Sequence, residues 1–93
     1  MPQEVMFNPE MFTRVRKFIS VYSPMELDNA TKILYARKVD FRCEVYLDET
    51  GVNSFAHAER IDIIMNYKLS EEQSILKWLG IPQEKLYIYF DHS

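Results

Sequence analysis

The sequence predicts a single α+β domain over residues 1–93, in which a mixed sheet of three or four strands packs with about three helices. Residues 41–47 and 85–90 alternate between apolar and polar side chains, which is the period of a half-buried strand. Residues 71–79 carry apolar side chains at helical spacing. Because 47% of the 93 residues are hydrophobic and only two are glycine, one domain can bury a sizeable core.

The first predicted helix follows a start signal at residues 8–10, where Asn can cap, Pro suits the first helical position and Glu lies in the first turn. Apolar side chains then recur at helical spacing as far as Tyr22. A strand over residues 17–22 is the competing interpretation, because this segment is rich in strand-forming residues. We favour the helix, which gives the order ααββαβ, whereas the strand gives βαββαβ. Residues 1–7 are a lead-in, either an added strand or a frayed end.

The second predicted helix begins after Ser23. The Ser23 side chain can cap the first turn, Pro24 suits the first helical position, and Glu26 can reach back to the Ser23 amide. We expect this helix to run to about Lys38. Its inward face is predicted to be formed by Leu27, Ala30, Ile33 and Leu34.

The second half of the chain predicts two strands, a helix and a further strand. Strand 41–47 ends at a turn signal over residues 48–51, and it should pair antiparallel with a strand over residues 60–67. A loop or helical turn is expected over residues 53–59, with a helix across 56–67 as the alternative. Helix 71–79 has Ser70 as its N-cap candidate and ends at Gly80, which can turn left-handed. With strand 85–90 it would form a crossover between parallel strands.

The two faces of the predicted sheet differ in chemistry. The apolar face, which belongs under the helices, is formed by Phe41, Cys43, Val45, Ile61, Ile63, Met65, Leu86, Ile88 and Phe90. The opposite face carries Arg42, Tyr46, Ile64, Tyr87 and Tyr89. Tyr and Arg are favoured at interfaces, because each offers a large contact area with a polar end. The alternative is that the first helix covers this face and makes it ordinary core.

We therefore predict a small non-enzymatic interaction or regulatory module that acts by protein–protein binding. Its contact residues would be Arg42, Tyr46, Tyr87 and Tyr89. The partner would be another protein or a second copy, which makes a homodimer one of the expected outcomes. No cofactor is predicted.

A nucleic-acid-binding module is the first alternative. Residues 11–42 hold seven Lys or Arg against three Asp or Glu, whereas residues 43–93 hold four against nine. If the first two helices lay side by side, a phosphate-binding surface would be formed by Arg14, Arg16, Lys17, Arg37 and Lys38. The net charge of −3 opposes this hypothesis, and the two halves could simply complement each other in the fold.

A small enzyme or ligand-binding domain is the second alternative, with a site near His57 and Glu59. A histidine beside acids could exchange protons or bind a metal, but the spacing matches no metal signature, and no metal site is predicted. Cys43 lies on the apolar side of its strand, which indicates an inert buried thiol rather than a nucleophile. The sequence contains no phosphate loop, dinucleotide fingerprint or nucleophile elbow.

The predicted location is cytoplasmic. A single cysteine excludes an internal disulfide framework and favours a reducing compartment. No signal peptide is visible, and the longest apolar runs are only a few residues, too short for a membrane span.

Overall fold

A computed structural model describes residues 14–47 and 58–90, which form one four-stranded sheet and two helices. The elements are β1 (Arg14–Val21), α1 (Pro24–Ala36), β2 (Asp40–Leu47), β3 (Ala58–Lys68), α2 (Glu72–Leu79) and β4 (Tyr87–Ile88). Single 3₁₀ turns, Leu69–Glu71 and Gln83–Lys85, precede α2 and β4. The α+β class is confirmed, and the element order is βαββαβ.

The strand order across the sheet is β2-β3-β1-β4, and every neighbouring pair is antiparallel. The expected pairing of β2 with β3 is confirmed, with Cys43 opposite Ile63. The expected crossover joins β3 to β4, but β1 lies between these two strands. The sheet is therefore antiparallel rather than mixed, and its two βαβ units are interleaved in the split βαβ topology.

The first predicted helix is wrong over the described residues, because Arg14–Val21 form β1. Eight residue pairs join β1 to β3, and β4 pairs with its other edge. These non-local ladders satisfy the backbone, and the β-branched and aromatic residues near Phe18 fit a pleated surface. Residues 14–47 and 58–90 therefore contain two α-helices rather than about three. The start signal at residues 8–10 and the lead-in of residues 1–7 lie outside the described residues.

The beginning of α1 agrees with the predicted cap. The Ser23 hydroxyl accepts a 3.2 Å hydrogen bond from the Glu26 amide and lies 3.3 Å from the Glu26 carboxylate. Of the predicted inward residues, Ala30 and Leu34 are buried. The helix ends at Ala36, two residues before the expected end.

The end of α1 is a Schellman motif. Lys38 has a φ of 60°, and its amide donates to the Tyr35 carbonyl at 3.1 Å. The Val39 amide donates to the Leu34 carbonyl at 2.9 Å, which closes the wider loop of the motif. The chain thereby leaves the helix and enters β2 directly.

The start of α2 differs from the prediction, whereas its end agrees with it. Ser70 is not its cap: it lies inside the 3₁₀ turn, and no side chain caps the helix, which begins at Glu72. The preceding turn supplies the first carbonyl acceptors instead. Gly80 has a φ of 69° and donates to the Leu76 carbonyl at 2.9 Å, so the predicted left-handed stop is confirmed.

The core lies between one face of the sheet and the two helices. Its buried residues are Ile19, Val21, Ala30, Leu34, Ile61, Ile63, Met65, Tyr67 and Ile75. Phe41, Cys43, Val45 and Leu86 pack against it, as predicted from their face of the sheet. Ile88 and Phe90 do not, because they are 62% and 69% exposed at the edge of the sheet. The predicted strand over residues 85–90 is shortened to two residues.

Residues 60–67 belong to β3, so the strand interpretation is confirmed over the helix across residues 56–67. The turn signal at residues 48–51 and most of the segment over residues 53–59 lie outside the described residues. Neither helix in the described part of the chain has the length and apolar character needed to cross a bilayer.

Candidate functional site

The sheet face opposite the helices, which we call the open face, carries the candidate site. The strand register places Phe18, Ile64 and Arg42 in one row across β1, β3 and β2, and Tyr87 extends that row on β4. The buried residues of α1 and α2 belong to the core on the other side, so neither helix packs on the open face. Its members are Arg14, Arg16, Phe18, Ser20, Asp40, Arg42, Glu44, Tyr46, Arg60, Asp62, Ile64, Asn66, Lys68, Tyr87 and Tyr89.

Tyr89 and Arg42 form a bridge across the open face. The Arg42 Nη2 donates to the Tyr89 hydroxyl at 2.8 Å, and that hydroxyl donates to the Glu44 Oε2 at 3.0 Å. The Arg42 guanidinium also lies 5.2 Å from the centre of the Tyr89 ring. Ile64, in the middle of the sheet between these two side chains, is only 2% exposed.

Phe18 is the aromatic centre of the open face. Its ring centroid lies 5.3 Å from that of Tyr87 in a tilted arrangement and 6.5 Å from that of Tyr89 edge to face. Phe18 is absent from the predicted site, because the sequence favours a helix over the segment that contains it. In a strand, every second residue lies on the same face of the sheet. Had this segment been predicted as a strand, that spacing would have grouped Phe18 with Arg14, Arg16 and Ser20.

A second cluster lies beside Tyr46. The Arg60 guanidinium stacks 4.1 Å from the centre of the Tyr46 ring, and its Nε lies 3.2 Å from the Asp62 Oδ1. The Ser20 hydroxyl donates to the same oxygen at 2.6 Å. Burial raises the pKa of the Tyr46 phenol, and the negative charges of Asp62 and Glu44 raise it further. Tyr46 therefore stays protonated at neutral pH and donates to Glu44 at 3.3 Å.

A groove of about 800 Å³ connects these two clusters. Its lining includes Phe18, Arg42, Tyr46, Arg60 and Tyr89. The groove is wide and shallow, and its walls combine aromatic rings and guanidinium planes with the carboxylates of Glu44 and Asp62. This shape suits a protruding segment of another macromolecule better than an enclosed small molecule.

The charges of the open face are largely compensated at its centre. Arg42 lies 4.0 Å from Glu44, and Arg60 lies 3.2 Å from Asp62. Because each of these arginines has a carboxylate close by, each pair carries little net charge, and the two pairs attract a polyanion only weakly.

The five cations of the nucleic-acid hypothesis do not form one surface. Arg14 and Arg16 lie on the open face, whereas Lys17 faces the helices and pairs with Glu72 at 2.9 Å. Arg37 and Lys38 follow α1, where the Arg37 guanidinium stacks 4.6 Å from the Trp78 ring. The structure thus distributes these five residues over at least two regions. Their expected clustering depended on a first helix that the structure replaces with β1.

The proposed enzyme site is only partly described. Glu59 is exposed at the start of β3, and His57 lies outside the described residues. Asp62, the nearby acid, is bound by Ser20 and Arg60. Burial raises the pKa of the Cys43 thiol, which disfavours the thiolate that a nucleophile requires. Within residues 14–47 and 58–90, no group of three His, Cys, Asp or Glu side chains is placed to hold a metal ion.

Comparison of the chain with protein-family models, with curated proteins and with solved structures found no match.

Proposed function

We propose that this protein is a small protein-binding module whose contact surface is the open face. The observation that carries the proposal is a continuous set of aromatic and arginine side chains across all four strands, on a face that neither helix covers. Tyr46 and Tyr87 remain 39% and 48% exposed. With Arg42 and Tyr89, they are the residues proposed to make the contacts.

The chemistry of this face matches that of interface centres. Such centres are enriched in Tyr, Phe and Arg. The Arg42 and Arg60 side chains are already held against tyrosine rings and carboxylates. Binding would therefore cost these two arginines less side-chain freedom than it would cost mobile arginines.

A single-stranded nucleic acid is the competing occupant. Stacked aromatic rings on a sheet can hold bases, and the open face carries five basic residues against three acidic ones. The compensation of Arg42 and Arg60 by neighbouring carboxylates favours a protein instead. The two occupants differ in salt dependence, because nucleic-acid affinity falls steeply as salt rises.

The proposal is tested by affinity capture with the full chain immobilised and a lysate of the source cells applied. We compare the wild type, the double variant Tyr87→Ala/Tyr89→Ala and the control variant Tyr35→Ala, whose tyrosine is 81% exposed on α1. We expect a protein that is retained by the wild type and by the control but lost from the double variant. Circular dichroism of each chain checks that it is folded. Equal retention on all three rejects the open face as the binding site.

A nuclease-treated lysate and a labelled single-stranded oligonucleotide separate the two occupants. A protein captured after nuclease treatment, together with no gel shift of the oligonucleotide at low salt, supports the protein-binding module. Loss of capture after nuclease treatment, with a salt-sensitive gel shift, identifies the nucleic acid instead. A cytoplasmic location is part of the same proposal and is checked by fractionation of the source cells.

A further inference from the structure

The outer edge of β2 is a long strand edge that no other strand in the described part of the chain pairs with. Its regular stretch covers residues 40–46, because the register with β3 shifts only between Tyr46 and Leu47. Proteins commonly protect such an edge with charged side chains, above all lysine, with proline or with a central bulge. The charges of this edge are of both signs (Asp40, Arg42 and Glu44), so they can pair with a second copy rather than repel it. Residues 40–46 contain no lysine or proline. The backbone of this edge is therefore a template for an added strand.

We propose that two copies of the chain pair through this edge, antiparallel about a two-fold axis at Cys43. In this register, Cys43 lies opposite Cys43 of the second copy, and Arg42 lies opposite Glu44 of the second copy. Symmetry repeats the Arg42–Glu44 pair on the other side of the axis. Two opposite-charge pairs then flank the axis on the open face, and each stabilises the antiparallel ladder.

The opposite side of the same ladder is also complementary. Phe41 lies opposite Val45 of the second copy, and both residues belong to the side that packs against the core. The register is centred on the regular stretch of residues 40–46, so all seven residues pair. Each copy therefore gains a full strand-length of backbone hydrogen bonds.

The neighbouring registers are disfavoured by charge. Centring the axis on Arg42 places Arg42 opposite its own copy and Asp40 opposite Glu44 of the second copy. Centring the axis on Glu44 places Glu44 opposite its own copy. Like charges directly opposite each other destabilise a ladder, and a slip by one residue would place polar side chains against apolar ones.

The Arg42–Glu44 pairs exchange contacts that the open face now makes. Arg42 donates to the Tyr89 hydroxyl, and Glu44 accepts from it, so both side chains turn from Tyr89 toward the β2 edge when the second copy binds. A guanidinium and a carboxylate regain a charged partner in this exchange. Pairing of the two edges would give an eight-stranded sheet with two open faces side by side. This inference rests on the backbone edge of β2 and not on the proposed function, although Arg42 belongs to both surfaces.

The first test measures the dimer dissociation constant of the full chain by sedimentation equilibrium. We expect each charge reversal, Arg42→Glu or Glu44→Arg, to raise the dimer dissociation constant by about tenfold. Each variant converts both symmetry-related Arg42–Glu44 pairs into pairs of like charge. The double variant Arg42→Glu/Glu44→Arg should recover the wild-type value. The control Lys32→Glu reverses an exposed charge on α1, 3.1 Å from Asp28, and should leave the dimer unchanged.

The second test uses Cys43, which is the only cysteine of the chain. Directly opposed residues in an antiparallel ladder have Cα atoms about 4.5–5.5 Å apart. This distance falls within the range of about 4.4–6.8 Å that a disulfide requires. Mild oxidation at alkaline pH should therefore give a covalent dimer on a non-reducing gel, and Arg42→Glu should slow its formation about tenfold.

Two outcomes overturn the inference. A wild-type chain that stays monomeric over the whole concentration range shows that the edge does not self-pair. A dimer that resists both charge reversals, or that forms no Cys43 crosslink, is assembled through another surface. If Arg42→Glu does not fold, the double variant and the wild-type crosslink still decide the result.

Discussion

The Arg42 guanidinium donates a 2.8 Å hydrogen bond to the Tyr89 hydroxyl, and this contact joins opposite edges of the sheet. Arg42 lies on edge strand β2, and Tyr89 directly follows edge strand β4. The two side chains meet above the middle of the open face, where Phe18 contacts the Tyr89 ring edge to face. The bridge fixes the positions of the groups proposed to contact a partner.

Replacement of Tyr89 by Phe tests the bridge. The variant keeps the ring but removes the hydroxyl that Arg42 and Glu44 share. We expect the free energy of unfolding to fall by about 1 kcal/mol, the typical net contribution of a hydrogen bond. Urea denaturation measures this change.

Tyr87→Phe is the matched control for Tyr89→Phe, because it removes a neighbouring hydroxyl from the same face. The Tyr87 ring stacks on Phe18 in either form. We expect a change in unfolding free energy below about 0.5 kcal/mol. Equal losses in the two phenylalanine variants would show that the Arg42–Tyr89 hydrogen bond adds nothing to stability.

The ion pair beneath α2 is predicted to be a strong determinant of stability. The Glu72 carboxylate is buried, lies 2.9 Å from the Lys17 Nζ and accepts a 2.9 Å hydrogen bond from the Tyr67 hydroxyl. Glu72→Ala would leave both partners without this acceptor, at a cost of about 3 kcal/mol. Thermal and urea denaturation measure the loss. The control Glu71→Ala changes an exposed neighbour and should cost less than about 0.5 kcal/mol.

Tyr67 is predicted to make the free energy of unfolding depend on pH in the alkaline range. Burial raises the pKa of its phenol above the usual value of 10.0, and the hydrogen bond and charge of Glu72 raise it further. Above about pH 10 the unfolded chain loses this proton while the folded chain keeps it, so the free energy of unfolding falls as pH rises. Below that pH the contribution is fully present.

Urea denaturation between about pH 9 and pH 11 checks this dependence. Tyr67→Phe should show a shallower decline, by up to about 1.4 kcal/mol per pH unit. Tyr35→Phe, on the exposed side of α1, should keep the wild-type slope. A Tyr67→Phe slope equal to that of the wild type would contradict the assignment.

The residues with positive φ at the ends of the two helices predict substitutions with opposite effects on the free energy of unfolding. Gly80 has a φ of 69°, and a side chain there would meet nothing within 4 Å, so Gly80→Ala costs only backbone strain, about 1 kcal/mol. Lys38 has a φ of 60° with a side chain already present, so Lys38→Gly should relieve strain and raise the unfolding free energy slightly. Paired denaturation curves decide both signs. Destabilisation by Lys38→Gly would show that its helix end is not strained.

Local signals were sufficient for the elements whose pattern and fold agree. Alternation identified β2, the Ser23 cap identified the start of α1, and Gly80 identified the end of α2. They failed for β1, where an apparent helical period competed with strand-forming residues near Phe18. The pairing of β1 with β3 and β4 decides that segment, and a local pattern does not contain this information.

The candidate site shows the same division. Alternation predicts Arg42, Tyr46, Tyr87 and Tyr89 on one face, and the structure has all four of them there. Phe18 was missed because it belongs to β1. The Arg42–Tyr89 bridge could not be predicted, since it depends on the order β2-β3-β1-β4 and on the reach of two long side chains across that order.

The most direct test of the protein-binding proposal is to map the surface that contacts the captured partner. Amide and side-chain NMR signals of the labelled full chain are followed while the purified partner is added. We expect the largest changes at Phe18, Arg42, Tyr46 and Tyr87, with Tyr35 on α1 unchanged. Changes centred on α1 and α2, with the open face unaffected, would contradict the account.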